Sequence, residues 1–141
     1  MALELRTHIM IKASPTKVWE ILMDFETYGE WNPFVLSIKG IAGVGEKLNI
    51  HIGGMKFRPK VLSLDPNQKF VWLGHLFLPG LFDGKHSFEL EEQADGSTHL
   101  IHSESFTGIL VPVFKNQLLG QTKAGFEAMN EALKARVEEI I

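Results

Sequence analysis

The sequence predicts an α+β fold in which a curved antiparallel sheet is covered by one long C-terminal helix. Segments of apolar/polar alternation follow one another up to about residue 110. Two turn signals, Gly53-Gly54 and Ala94-Asp95-Gly96, each join two such segments as a hairpin. From Val113 onward the apolar spacing lengthens to about 3.6 residues, the period of a helix. The 141 residues show no repeat, low-complexity tract or linker, so one domain spanning 1–141 is expected.

The first segment, "LELRTHIMI", sets Leu3, Leu5, Thr7, Ile9 and Ile11 on one face and Glu4, Arg6 and His8 on the other. That is a half-buried strand. Ser14 can cap a helix whose first residue is Pro15, and Val18, Ile21, Leu22 and Phe25 form its apolar stripe. Gly29 and Pro33 break "TYGEWNPF" into a short helix or turn, with Trp19, Tyr28 and Trp31 packing these helices on the sheet.

"KLNIHI" and "MKFRPKVL" read as paired strands with Ile52 opposite Met55. Leu48, Ile50, Phe57 and Val61 then share one face, and Lys47, Lys56, Arg58 and Lys60 the other. Pro59 cannot donate to a ladder, so it belongs at an edge or a bulge. "LDPNQ" is a turn and "KFVWLGH" a strand. "HLFLPGLF" is an apolar connection broken by Pro and Gly, read either as a lid over an internal space or as a loop folded into the core. "GKHSFELEEQ" and "STHLIHSESF" form the second hairpin.

The terminal helix is expected from about Pro112 to about Glu139, with Phe114, Leu118, Thr122, Gly125, Met129, Leu133 and Val137 on its apolar side. Gly120 and Gly125 each weaken it by about 1 kcal/mol relative to Ala, or mark a bend or a close approach to the sheet. One continuous sheet must cover its apolar face, and this helix is the available cover. A strongly twisted sheet curled around a single helix leaves a space between them.

The stretch "IKASPTKVWEILMDFETYGEWNPF" resembles the opening of the START-like superfamily, the polyketide cyclase/dehydrase and lipid-transport group, and "HSFELEE…GSTHLIHSESFTGIL" resembles its last two strands. The resemblance covers nearly the whole chain. It implies the helix-grip fold, a curved antiparallel sheet gripping a C-terminal helix around an apolar cavity. It also implies a small hydrophobic ligand. The group spans lipid carriers, hormone receptors, aromatic cyclases, oxygenase domains and chaperone co-factors, and it shares no catalytic set that carries over onto residues here.

One feature of the second hairpin stands out against that apolar expectation. A three-residue loop at Ala94-Asp95-Gly96 suits a type I turn followed by a left-handed glycine. Counting back, Leu90 faces Leu100, Phe88 faces His102, and His86 faces Glu104, all on one face. A slip of one residue would put Phe88 and Leu90 in solvent. His86, His102 and Glu104 therefore stand among core residues, at the polar end of the expected cavity. The apolar lining is expected from Phe57, Trp72, Phe88, Leu100, Phe106, Leu118, Thr122 and Met129, with Trp72 a stacking surface for a ring.

The polar group has several readings. It can anchor a ligand carboxyl, hydroxyl or carbonyl, or its members can satisfy one another and only fix the strand pair. Two histidines and a carboxylate also match open metal sites, but three residues of one hairpin are a weak signature and no metal is expected. Ser103 and Ser105 point to the other face and there is no cysteine, which argues against nucleophilic catalysis. No cofactor is expected. The preferred function is binding or carriage of a small hydrophobic molecule such as a lipid or a polyketide-like ring compound. The alternative is a cyclase, dehydratase or hydrolase using His86, His102 and Glu104 as acid and base.

The net charge of −3 gives no long-range attraction to nucleic acid, and the basic row Lys56, Arg58, Lys60 lacks interleaved aromatics. No nucleic-acid partner is expected. No apolar run reaches membrane-span length, and Phe77 and Leu78 have no basic cluster beside them, so stable membrane insertion is not expected. Glu4, Arg6, His8 and Lys12 interrupt the N-terminal apolar stretch, which argues against a secretory segment. With no cysteine present, a cytoplasmic protein is the expectation.

Overall fold

The computed structural model describes residues 2–140. Strand β1 (Ala2–Ile11) leads through Ser14 into α1 (Pro15–Met23), a short 3₁₀ turn (Phe25–Thr27) and α2 (Tyr28–Trp31). The Ser14 hydroxyl accepts from the Lys17 amide, as a capping serine ahead of Pro15 should. Seven strands follow: β2 (Val35–Lys39), β3 (Asn49–Ile52), β4 (Met55–Phe57), β5 (Lys60–Asp65), β6 (Lys69–Leu76), β7 (Phe82–Glu92) and β8 (Thr98–Thr107). The chain ends in α3 (Val111–Gln117), a π turn (Leu118–Thr122) and α4 (Lys123–Ile140). The helix-grip arrangement is thus present: antiparallel strands curve around the C-terminal helix, which packs on β1 and β8.

Both hairpins have the expected registers. Ile52 pairs with Met55 across Gly53 (φ 60°), where a left-handed backbone favours glycine. Leu90 pairs with Leu100, Phe88 with His102 and His86 with Glu104, with Gly96 left-handed at the turn (φ 87°).

The expectation of one continuous sheet is corrected. The strands form a five-stranded sheet, β1-β8-β7-β6-β5, and a three-stranded one, β2-β3-β4. The break falls inside "MKFRPKVL", which splits into β4 and β5 at Arg58-Pro59, because a proline has no amide to continue the ladder. Backbone bonds close the seam: the Leu48 amide donates to the Pro59 carbonyl and the Val61 amide to the Glu46 carbonyl, each at 2.9 Å. Strand β2 is a further departure, since "VLSIK" was not among the expected elements. It starts where Asn32 Oδ1 accepts from the Phe34 and Val35 amides at 2.9 Å, which turns the chain out of α2.

The terminal helix is also not uniform. Its π turn adds one residue per turn, which rotates the following helix by roughly 100° relative to an unbroken one. The buried side chains are therefore Val111 before the turn, Leu118 at its first position, and Phe126, Met129, Asn130, Leu133 and Val137 after it. Gly125 marks a close approach: a Cβ there would overlap the Phe34 ring. Gly120 lies in the π turn with open space beside it.

Candidate functional site

Between the helix and the sheet lies a cavity of about 690 Å³. Its walls come from β6 to β8 (Trp72, His86, Glu104, Phe106), from the β3–β4 hairpin (Ile50, Phe57) and from the helix around the π turn (Leu118, Thr122). The rim includes Met55 and Phe77, both exposed. Phe77 also has a left-handed backbone (φ 68°), which is strained for a bulky residue. The "HLFLPGLF" connection therefore borders the mouth through Leu76, Phe77 and Phe82. Asp83 ties it down, accepting from the Gly80 amide at 3.0 Å and bonding His75 Nδ1 at 2.6 Å. The His75 contact and the Gly80 amide hold the Asp83 carboxyl below the usual carboxylate range.

The polar end lies deep, on β7 and β8. His86 Nδ1 is 3.1 Å from Glu104 Oε1, and His86 Nε2 is 2.6 Å from His102 Nε2. His102 Nδ1 continues to Asn130 Oδ1 at 2.8 Å, Asn130 Nδ2 donates to Thr7 Oγ1 at 2.8 Å, and Thr7 Oγ1 donates to the His102 carbonyl at 2.8 Å. Strand pairing explains much of this closeness, since Thr7 lies opposite His102 on β1 and β8. Aromatic rings enclose both imidazoles. Trp72 stacks on His86 at 4.5 Å, while Phe88 at 4.4 Å and Phe126 at 4.3 Å stack on His102. Burial, and then the neighbouring His86, push the His102 imidazole well below the ordinary histidine range, so it is neutral at neutral pH.

Glu104 is the most exposed member of this hydrogen-bonded series, with 15% of its side chain exposed against 1% for His86. Its second oxygen, Oε2, occupies the space that a side chain on Gly84 would need, so the carboxylate fits only because residue 84 has no Cβ. The arrangement can present an oxygen acceptor to a molecule in the cavity, or exchange a proton with it.

Of the expected site residues, Phe57, Trp72, His86, Glu104, Phe106, Leu118 and Thr122 line this cavity. The expected lining is corrected at four others. Phe88 and Leu100 pack in the solid core beside Phe70 and Leu133, because the helix there lies directly on the sheet. Met129 sits about two turns past the π turn and joins the same core. His102 is behind His86, capped by the Phe126 ring. Phe126 and Asn130 were missed. Asn130 had one visible signal, an amide on an otherwise apolar stripe between Met129 and Leu133. Ser103 and Ser105 do lie on the opposite face, Ser103 being paired with Ser87. The nitrogens of His86 and His102 point at each other and along the chain, and among the described residues no three His, Cys, Asp or Glu side chains converge as metal ligands. No helix among the described residues is long and apolar enough to cross a membrane.

Comparison with known proteins places the chain. The family model described as polyketide cyclase / dehydrase and lipid transport matches residues 2–138. No curated protein matches the chain in sequence. Solved structures of the same fold include a START superfamily protein from Mycobacterium smegmatis, with 21% identity, TM-score 0.74, and coverage of 98% of this chain and 99% of that one. A protein from Mesorhizobium loti is similar at 21% identity and TM-score 0.76, covering 98% of each chain. The Zhui aromatase/cyclase from a Streptomyces species is similar at 16% identity and TM-score 0.77, over 99% of this chain and 95% of that one.

Proposed function

Since the chain belongs to the polyketide cyclase/dehydrase and lipid transport family, we propose that it binds or carries a small hydrophobic molecule in the cavity between its C-terminal helix and its sheet. The observation that carries this reading is the cavity itself. At about 690 Å³ it lies within the range of about 300–1,000 Å³ usual for small-molecule sites. Its walls are mostly apolar and aromatic, Trp72 among them, with His86 and Glu104 at one end to orient the ligand. The ligand in this reading is a lipid or a polyketide-like ring compound held by Phe57, Trp72, Phe106, Leu118 and Thr122.

Native mass spectrometry of freshly purified protein tests it, because a carrier retains its cargo through purification. A retained mass of a few hundred daltons is expected, or else uptake of an apolar fluorophore by stripped protein. Thr122→Trp, which fills the cavity from a half-buried position, should abolish both while leaving the melting temperature nearly unchanged. Equal uptake by that variant would refute the reading.

A second reading is favoured by one specific observation, the His86–Glu104 pair opening onto the cavity. A chain of the same fold is an aromatase/cyclase, and the pair can act as acid and base on a bound substrate. Retention of unchanged ligand supports carriage, whereas release of an altered one supports catalysis.

A further inference from the structure

The direction of the buried hydrogen-bond chain can be worked out from its inner end. The His102 carbonyl can only accept, so Thr7 Oγ1, 2.8 Å away, must direct its one proton there. Thr7 Oγ1 is then an acceptor towards Asn130, which must present Nδ2 to it at 2.8 Å. That turns Asn130 Oδ1 towards His102 Nδ1, so this nitrogen carries a hydrogen. The Phe126 carbonyl is a second acceptor for the same ring. His102, neutral in its aromatic enclosure, leaves Nε2 bare, and His86 Nε2 at 2.6 Å must donate to it. His86 Nδ1 and Glu104 Oε1, 3.1 Å apart, then share a single proton.

That proton has two positions. On His86 it makes an imidazolium facing a carboxylate. On Glu104 Oε1 it makes a carboxylic acid facing a neutral imidazole. Both have zero net charge, and in both Oε2 is a bare acceptor. Were His102 doubly protonated instead, His86 Nε2 would accept, His86 Nδ1–H would donate to a carboxylate, and the net charge and the bare Oε2 would be unchanged. The cavity therefore meets a neutral acceptor in each case. Among the described residues no lysine or arginine lines it, and His75 at the mouth is engaged by Asp83. An anionic ligand group at Oε2 would oppose two acceptors with no proton between them.

From this geometry we infer that the cavity selects uncharged ring compounds bearing a hydroxyl donor, a phenol, enol or alcohol, and receives that O–H on Glu104 Oε2. The inference rests on the cavity being a ligand site and adds the chemical class of the ligand.

Three probes of matched shape test it: naphthalene, 2-naphthol and 2-naphthoate, titrated into the full chain with amide NMR shifts of Gly84 and Gly53 as the readout. 2-Naphthol should bind roughly 10-fold tighter than naphthalene, with 2-naphthoate weakest. Glu104→Leu should remove the advantage of naphthol over naphthalene. Glu104→Gln should keep most of it, since its amide can donate to His86 and still present an oxygen to the ligand. Naphthalene and naphthol binding equally to the wild-type chain would overturn this inference and leave cavity binding standing. Naphthoate binding most tightly would overturn it in favour of a cationic site. Failure of all three probes would overturn it together with the carrier reading. These outcomes are read on the wild-type chain, so they hold whether or not the Leu variant folds.

Discussion

Along β7 and β8 the helix–sheet interface changes character at the layer formed by His86, His102 and Asn130. On one side Phe70, Phe88, Leu90, Leu100, Met129 and Leu133 form a closed core. On the other, Trp72, Phe106 and Leu118 face the cavity. The same strands, with the same alternation, supply both halves. The difference comes from the helix. Beyond the π turn, α4 presses Phe126, Met129 and Leu133 onto the sheet, while within it the chain turns Leu118, Gln121 and Thr122 towards the cavity. The π turn is a rare geometry that is frequent at functional sites, and here its residues line the cavity. The contrast teaches that apolar alternation marks which face is inward and leaves open whether that face is filled.

The strongest way to probe the contrast is to cut a large side chain from the closed half. Phe88→Ala should cost about 3–5 kcal/mol in urea unfolding, because the tight core cannot collapse into the void. Affinity of the folded fraction for an apolar probe should hardly change. Loss of affinity without loss of stability would erase the distinction between the halves.

Close packing of the helix can be sharpened with its two glycines. Gly125→Ala drives a methyl into the Phe34 ring and should destabilise by about 1–3 kcal/mol. Gly120→Ala meets nothing and should stabilise by up to about 1 kcal/mol through helix propensity. Thermal melts of the pair give opposite signs if the two positions differ as described.

The boundary layer should show itself in pH dependence. His102 stays neutral when folded, whereas the unfolded chain takes up a proton near the ordinary value of 6.5. The unfolded state therefore binds more protons below that pH. The His102 contribution to stability is full above about pH 6.5 and falls as pH drops, by up to about 1.4 kcal/mol per unit. Denaturant midpoints at pH 6.5 and 5.5 measure the slope, and His102→Gln should flatten it. The lowered carboxyls of Asp83 and Glu138 enter only at more acid pH.

The smallest expected effect on stability is in the hollow half. Phe57→Ala, at a half-buried position beside the cavity, should cost no more than about 1 kcal/mol, since it enlarges a space already open. Its effect should appear in probe affinity instead. A loss approaching that of Phe88→Ala would mean that the two halves are packed alike.

The sequence by itself determined the hairpin registers, the face on which His86, His102 and Glu104 lie, the cap at Ser14 and the existence of a long terminal helix. These are local matters. A three-residue turn or a two-glycine turn sets register, and period-2 alternation then sets every side chain that follows. The tertiary structure alone decided the split of the sheet at Pro59, the strand at Val35–Lys39, the phase shift at the π turn, and which inward residues meet a cavity rather than a core. It also supplied Asn130 and Thr7, 123 positions apart, which complete the buried chain. Whether a face is filled depends on how closely the helix approaches the sheet, as at Gly125 against Phe34, and that distance is a sum over contacts from distant parts of the chain that no short window contains.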